Sequence, residues 1–196
     1  MKNIFVVAAV VLALVLISSK KHPSNFSPLP VPIQTELEIP VKLKAPSDSQ
    51  IIGTHTYEIT AVIASRSRYY LDASSRYSPV DFALVWGPMA IKQNLDAVSY
   101  FQWGRWYYTH FSRSSGVSET DIILNSANTH IIPEYSNGYL KRKLLDFDEG
   151  STVKLKGYLV DVSGDDGFEW NSSLSRNDTG GGACEVFYVT EATLVK

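Results

Sequence analysis

From about residue 50 onward the chain is a succession of short apolar and aromatic runs, separated by residues that favour turns. Runs rich in Val, Ile, Thr, Tyr and Phe and bounded by Gly, Pro, Asn and Asp are typical of β-strands. This pattern restricts the fold more than any other feature, because so many short strands must pair with one another. The predicted strands cover residues 57–64, 81–86, 98–111 (one long strand or a pair), 129–132, 153–160 and 184–193.

A single short helix is predicted within residues 136–147. Leu140, Leu144 and Phe147 recur at helical spacing on one face, and Ser136 is the expected N-cap. With so little helix the chain is expected to be mainly β. We expect a small, coiled β-barrel or a sandwich with one short helix, preceded by an N-terminal hydrophobic helix.

Residues 150–160 refine this expectation. Their alternating apolar pattern predicts one buried face, and Gly157 predicts a bulge or a sharp bend. Two glycines and two aspartates at 164–167 then predict a hairpin leading into 168–171. The pattern is compatible with an OB-like (oligonucleotide/oligosaccharide-binding) or SH3-like barrel, although such a fold does not by itself establish a function.

The N-terminus predicts export. Residues 4–17 form an unbroken apolar run, with Lys2 before it and Lys20 and Lys21 after it. As a helix this run would be about 21 Å long, against about 30 Å of bilayer hydrocarbon, which suits the core of a signal peptide. No Ala-x-Ala cleavage pattern follows, and the flanking lysines can extend the span, so an uncleaved anchor is favoured. Residues 1–22 are therefore predicted to be a signal anchor or a signal peptide.

Residues 23–46 are predicted to be a proline-rich linker, because six of them are proline and polyproline-like chain acts as a spacer. Residues 47–196 are then the extracytoplasmic β domain. Residues 1–46 carry a net charge of +3 and residues 47–196 a net charge of −5. A basic stalk suits an anionic membrane, and an ordinary solvated linker explains the same charges. The acidic domain gives no indication of nucleic-acid binding.

Four segments of the sequence are distinctive. Residues 172–185 have the sequence SSLSRNDTGGGACE, and Trp-Gly-Pro (86–88), Gly-Arg-Trp-Tyr-Tyr (104–108) and Asn-Thr-His-Ile-Ile-Pro (128–133) precede them. Together they resemble recurring segments of an uncharacterised family of bacterial membrane-anchored envelope proteins, with an SSLxRxDTGxGACE-like C-terminal signature. The resemblance covers about residues 81–189 and implies a place in the bacterial envelope. It implies no catalytic residues.

Cys184, His130 and Asp178 are the candidate catalytic residues, as the types needed for a thiol nucleophile, a general base and an orienting carboxylate. The alternative for Cys184, the only cysteine, is a small buried hydrophobic residue at the start of a strand. No two histidines have the spacing of a local metal clip, and one cysteine cannot form a Cys-only zinc site. We therefore predict no metal site and no cofactor.

The glycine-rich loop, residues 173–182, is the first candidate for ligand binding. Its three consecutive glycines allow backbone N–H groups to converge, and Arg176 can add a bidentate fork for a phosphate or carboxylate beside Asp178. The alternative is an ordinary connecting loop, in which Asp178 and the glycines only satisfy the backbone.

The second candidate is the segment 100–111, which has seven aromatic residues in twelve positions. If it forms one strand, one face consists of Phe101, Trp103, Arg105, Tyr107 and Phe111. The other face consists of Tyr100, Trp106, Tyr108 and His110. A core needs only one such face, so the other can stack on sugar rings, peptide side chains or bases. The alternative is a central strand buried on both faces. The predicted ligand-binding residues are Arg105, Trp106, Tyr108, His130, Arg176 and Asp178.

We therefore expect a membrane-tethered extracytoplasmic binding or assembly module of the bacterial envelope. It would be anchored in the inner membrane and face the periplasm, or be periplasmic if the signal is cleaved. The expected partners are the membrane, through the N-terminal helix, and another envelope protein or a glycan; nucleic acid is not expected. The alternative function is a cell-envelope hydrolase or transferase that uses Cys184 and His130.

Overall fold

The computed structural model describes residues 27–46 and 49–195. The order of elements is β1 (Ile33–Leu43), β2 (Ser49–Arg68), β3 (Val80–Val85), α1 (Lys92–Asp96), β4 (Val98–Trp103), β5 (Trp106–Phe111), α2 (Glu119–Asn125), β6 (Ser126–Pro133), α3 (Gly138–Asp146), β7 (Thr152–Gly164), β8 (Glu169–Asn171) and β9 (Glu185–Leu194). The predicted mainly β fold is confirmed. The predicted N-terminal hydrophobic helix and residues 1–22 lie outside the described residues.

Five of the strands pair in a closed ring. β2 pairs with β3, β3 with β6, β6 with β9, β9 with β7, and β7 pairs back with β2. Only the β6–β9 pair is parallel. If these five strands are numbered 1 to 5 in chain order (β2, β3, β6, β7, β9), their order around the ring is 1-2-3-5-4-1. α3 lies between the third and the fourth strand in the chain. This is the connectivity of an OB-type fold, which the pattern of residues 150–160 allowed.

The largest apolar cluster takes alternate residues from the ring strands, among them Ile59, Phe82, Leu155 and Phe187. Alternation on a strand places every second side chain on the same face, so these side chains meet on one side of the sheet. α3 adds the predicted apolar face to this cluster: Leu140, Leu144 and Phe147 are all buried in it.

α3 begins one residue later than an N-cap at Ser136 predicts, at Gly138. Its cap is Asn137 rather than Ser136, because the Asn137 side-chain oxygen accepts a hydrogen bond from the backbone N–H of Leu140 at 3.0 Å. Asparagine is as good an N-cap as serine, so the sequence alone does not decide between these neighbours.

Residues 86–125 are an insertion between β3 and β6, and they bury the second face of β3. Met89, Leu95 and Ile122 of this insertion form a cluster with Val62 and Val85 of the ring. Every residue of β3 is consequently buried. The insertion also holds α1 and α2, which the sequence did not predict because helices this short have little periodicity.

Residues 33–43, which the sequence placed in the linker, form strand β1, antiparallel to β2. Pro40 lies in the stretch between Glu36 and Val41 where the pairing register shifts, a position at which a strand tolerates proline. Leu29 forms a further isolated bridge with Gly87. The β domain therefore begins before residue 47, and the linker prediction is wrong for residues 33–43.

Within residues 27–46 and 49–195 the helices are too short or too polar for any of them to cross a bilayer.

Candidate ligand-binding site

The aromatic segment 100–111 is a β-hairpin and not a single strand. β4 and β5 pair antiparallel, with Gly104 (φ +60°) and Arg105 (φ +72°) as the turn between Trp103 and Trp106. A two-residue turn with positive φ at both positions matches the natural twist of a hairpin. Because the chain reverses at this turn, the two faces predicted for a single strand are wrong.

One face of the hairpin is exposed and aromatic. Phe101, Trp103, Trp106 and Tyr108 expose 52, 77, 46 and 40% of their surface, and we call these four residues the aromatic face. Phe101 and Tyr108 are cross-strand partners whose rings stack with centroids 5.1 Å apart. Trp103 pairs with Trp106 at the end of the hairpin. The face thus combines residues from both of the predicted faces.

The opposite face of the hairpin rests on β6 through polar contacts. The hydroxyls of Tyr107 and Ser126 are hydrogen-bonded at 2.8 Å. Gln102 donates to the Asn128 side-chain oxygen at 2.8 Å, and the Asn128 amide nitrogen donates to the backbone carbonyl of Arg105 at 2.7 Å. These bonds fix the orientation of the hairpin, so the aromatic face points away from β6.

Arg105 anchors the turn of the hairpin to a buried carboxylate. Its Nη1 lies 2.7 Å from Oδ1 of Asp81, which is fully buried, and its Nη2 lies 2.8 Å from Oδ1 of Asp72. His130 Nδ1 lies 3.0 Å from the second Asp81 oxygen. The guanidinium also lies over the Tyr69 ring, 3.7 Å from its centroid. Arg105, a predicted ligand-binding residue, therefore has both terminal nitrogens in ion pairs within the protein.

A cavity of about 420 Å³, the tryptophan cleft, opens beside this cluster. Trp106 of the aromatic face lines it, together with Phe168 and Trp170 of the β7–β8 hairpin. Its wall also includes His130, whose ring lies 4.4 Å from that of Trp170. The hairpin predicted at 164–167 is present and places Trp170 here, because β7 and β8 pair immediately after that turn.

Trp106 and Cys184 also line a second cavity of about 210 Å³, the loop cavity. Arg176 and Asp178 of the glycine-rich loop form part of its wall. The two cavities therefore adjoin at Trp106 and Cys184, so the predicted site residues lie in one region of the surface.

Arg176 is tied to the body of the fold. Its Nη1 lies 2.5 Å from Oε1 of the buried Glu185, and its Nη2 donates to the Gln34 side-chain oxygen at 2.5 Å. Asp178 does not pair with Arg176 but accepts a hydrogen bond from the Ser173 hydroxyl at 2.6 Å. The fork that the sequence offered to an anionic ligand is therefore already bound to a carboxylate of the protein.

The predicted site residues divide between these features. Arg105, His130 and Cys184 line the tryptophan cleft, whereas Arg176, Asp178 and Cys184 line the loop cavity. Trp106 lines both cavities, while Tyr108 lies on the aromatic face outside them.

Sequence reasoning missed Trp170, Asp81 and Glu185 as parts of the site. Asp81 had a usable signal, because it is the only charged residue in the apolar run Val80–Val85. A carboxylate in such a run needs a buried partner.

No family model, no curated protein and no solved structure matches this chain. Function is therefore inferred from the side chains of the site and from their arrangement.

The thiol of Cys184 is poorly suited to nucleophilic catalysis. Burial is the main cause that raises its pKa, from an ordinary value of 9.0 to about 11, and the hydrogen bond from Asn128 at 3.4 Å offsets only part of this. A catalytic cysteine needs the opposite shift, because the thiolate is the reactive form. His130 and Cys184 do line one cavity, but Nδ1 of His130 faces Asp81.

We expect Cys184 in the native protein to react with iodoacetamide at pH 8 about 100-fold more slowly than an exposed thiol, because its pKa is two units higher. The measurement is the alkylation rate, followed by mass spectrometry, with urea-unfolded protein as the control. Rapid labelling of the native protein at neutral pH would show that Cys184 is a thiolate. That result would support the alternative function, a hydrolase or transferase that uses Cys184.

Within the described ranges no three His, Cys, Asp or Glu side chains gather in a way that could hold a metal ion.

Glu185 makes stability depend on pH near neutrality. Burial raises the pKa of Glu185 to about 7, although the Arg176 guanidinium lowers it in part. The folded state thus holds a proton that the unfolded chain releases at about pH 4.5, so stability falls as pH rises from 4.5 to 7.

Between pH 5 and pH 8 we expect the stability of wild type relative to Glu185→Gln to fall by about 2 kcal/mol. Urea unfolding of both proteins at each pH measures this difference. Glu191→Gln, at an exposed position on the same strand, is the control and should show no such trend. A pH-independent difference for Glu185→Gln would show that the Glu185 carboxyl does not titrate in this range.

Proposed function

We propose that this protein is a membrane-tethered, extracytoplasmic binding module of the bacterial envelope. Its ligand-contact surface would be the aromatic face together with the tryptophan cleft and the loop cavity. The main support is the aromatic face itself. Phe101, Trp103, Trp106 and Tyr108 stand exposed side by side on a fixed hairpin, and contiguous exposed aromatic surface is typical of recognition sites.

The position of the surface in the fold supports the same proposal. OB-type folds bind ligands on the face of their second and third strands, between the loop after the first strand and the loop between the fourth and fifth. The corresponding strands here are β3 and β6, and β6 contributes Asn128 to the loop cavity and His130 to the tryptophan cleft. The first of these loops contributes Ser74 and the second contributes residues 168–184. This support is an analogy between folds.

The proposed tether rests on the apolar run at residues 4–17 and on the resemblance to envelope proteins. Leu29 already contacts the fold through its bridge with Gly87. The intervening residues 18–28 can span at most about 40 Å, even fully extended. An anchored module would therefore work close to the membrane surface rather than at the end of a long stalk.

Two experiments test the proposal. A fusion of alkaline phosphatase after residue 196 should be active and should sediment with membranes, and an inactive fusion would exclude export.

For binding, the detergent-solubilised full chain should sediment with purified cell-wall sacculi. The Trp103→Ala/Trp106→Ala double variant should lose most of this binding. Tyr139→Ala, which removes an exposed aromatic of α3, is the control and should bind normally. Equal sedimentation of the double variant would exclude the aromatic face as the contact surface.

A further inference from the structure

We infer that the ligand of this surface is an uncharged glycan, with sugar rings stacked on Trp106 and Trp170 and hydroxyls bound by acceptor side chains of the two cavities. The inference rests on the proposed binding function and adds the chemical class of the ligand. Three observations support it: the pairing of the cations, the supply of acceptors and the arrangement of the aromatic rings.

The cationic side chains at the site are already bound to carboxyl groups of the protein. Among the described residues that line the two cavities, Arg105 and Arg176 are the only arginines or lysines. Arg105 is bound to Asp81, which is fully buried, and Arg176 is bound to Glu185. A phosphate or carboxylate ligand at Arg105 would have to displace Asp81 and leave its buried charge uncompensated, which is strongly unfavourable. At Arg176 such a ligand would have to break the contact with Glu185. The site therefore disfavours nucleic acids and other polyanions.

The exposed polar groups of the cavities include two carboxylates, Glu169 and Asp178. Glu169 and Asn171 line the tryptophan cleft, and Asp178 and Thr179 line the loop cavity, all with exposed side chains. Ionised carboxylates only accept hydrogen bonds, so a ligand group that binds them has to be a donor. Asp178 is held in place by the Ser173 hydroxyl. Glycan hydroxyls are donors of this kind and carry no charge.

The aromatic rings suit a chain of rings better than a cation. Trp106 belongs to the aromatic face and to both cavities, so a linear ligand can run from one cavity across it to the other. A cationic peptide also binds aromatic rings and carboxylates. However, the Arg105 guanidinium already lies 5.8 Å from the Trp170 ring centroid, so the protein itself supplies the cation at that ring. A sugar ring stacks through its apolar face and needs no cation position.

The test titrates the detergent-solubilised full chain with the β-1,4-linked hexamer of N-acetylglucosamine, which is an uncharged glycan. Tryptophan fluorescence or calorimetry reports the affinity. We expect saturable binding that Trp106→Ala weakens at least about tenfold, consistent with a stacked aromatic contact. Trp170→Phe and Asp178→Asn should weaken it less, and Tyr139→Ala should leave it unchanged. Affinity should change by less than about twofold between 50 and 500 mM salt, because no ion pair forms. Thermal unfolding of each variant checks that it is folded.

Oligo-lysine and oligo-deoxythymidine are the competing probes. If the N-acetylglucosamine hexamer does not bind, the glycan inference is overturned. If oligo-lysine binds in a way that depends on salt and on Trp106, the ligand is a cationic peptide. That result overturns the glycan inference but leaves the proposed binding function in place. Salt-sensitive binding of oligo-deoxythymidine would overturn both the glycan inference and the charge argument. If sacculi also fail to bind, the proposed function falls as well.

Discussion

Replacing Arg105 with alanine is expected to lower the free energy of unfolding by about 3–5 kcal/mol, because Asp81 would then lose the cation beside its buried carboxylate. Asp81 is fully buried, and its Oδ1 is 2.7 Å from the guanidinium. The same change frees the hairpin turn from Asp72 and from the carbonyl of Ser78. Urea unfolding followed by circular dichroism measures the loss. Arg105→Lys should recover only part of it, because an ammonium cannot bridge both aspartates as the fork does.

A double-mutant cycle separates the charge from the packing. Adding Asp81→Asn to Arg105→Ala removes the uncompensated charge, so the double variant should be more stable than Arg105→Ala alone. Arg113→Ala, at an exposed arginine of the same insertion, is the matched control and should change stability by less than about 0.5 kcal/mol. If Arg105→Ala costs no more than this control, the buried ion pair does not hold the hairpin.

Local patterns in the sequence predicted the fold well where neighbouring residues determine it. The spacing of Leu140, Leu144 and Phe147 places one helix face on the core, and the turn at 164–167 determines the β7–β8 hairpin. The β4–β5 turn was harder to recognise. A two-residue turn with positive φ at both positions usually has the sequence Asn-Gly or Asp-Gly. The turn here has the sequence Gly104-Arg105, which is not typical of that conformation. Arg105 adopts this conformation because its side chain has buried partners to reach.

Proline content gave the wrong expectation for residues 33–43. Proline is compatible with an edge strand at a register shift, and β1 is such a strand, paired on one side with β2. Residues 33–43 form a strand because they pair with β2, and this pairing cannot be inferred from amino-acid composition.

The site was predicted by residue type but not by role. Trp106 is exposed and lines both cavities, and its role in stacking stays a prediction. Arg105 and Arg176 were expected to face a ligand. Their partners, Asp81 and Glu185, are themselves separated by about a hundred residues, and only the β3–β6–β9 pairing brings both pairs to one surface. A sequence shows that a cation is present but not that it is already paired.

Gly157 is the position at which the ring is least tolerant of a side chain, and Gly157→Ala is expected to cost about 3 kcal/mol or more or to prevent folding. The bulge predicted there is present, since the β7–β9 register shifts between Lys156 and Gly157. A Cβ at residue 157 would lie 1.9 Å from the carbonyl oxygen of Tyr188, and the backbone φ is +157°. Thermal and urea unfolding measure the loss of stability.

The overlap cannot be relieved by a small local shift, because the obstacle is backbone and β7 pairs with β9 on one side and with β2 on the other. Moving β7 away from Tyr188 would open the ring at its closure. Gly138→Ala is the matched control: nothing lies within 4 Å of its Cβ, and it is the first residue of α3. Alanine there should keep stability equal or raise it by about 0.5–1 kcal/mol. If Gly157→Ala is as stable as Gly138→Ala, β7 and β9 are not in contact at this residue and the ring is not closed there.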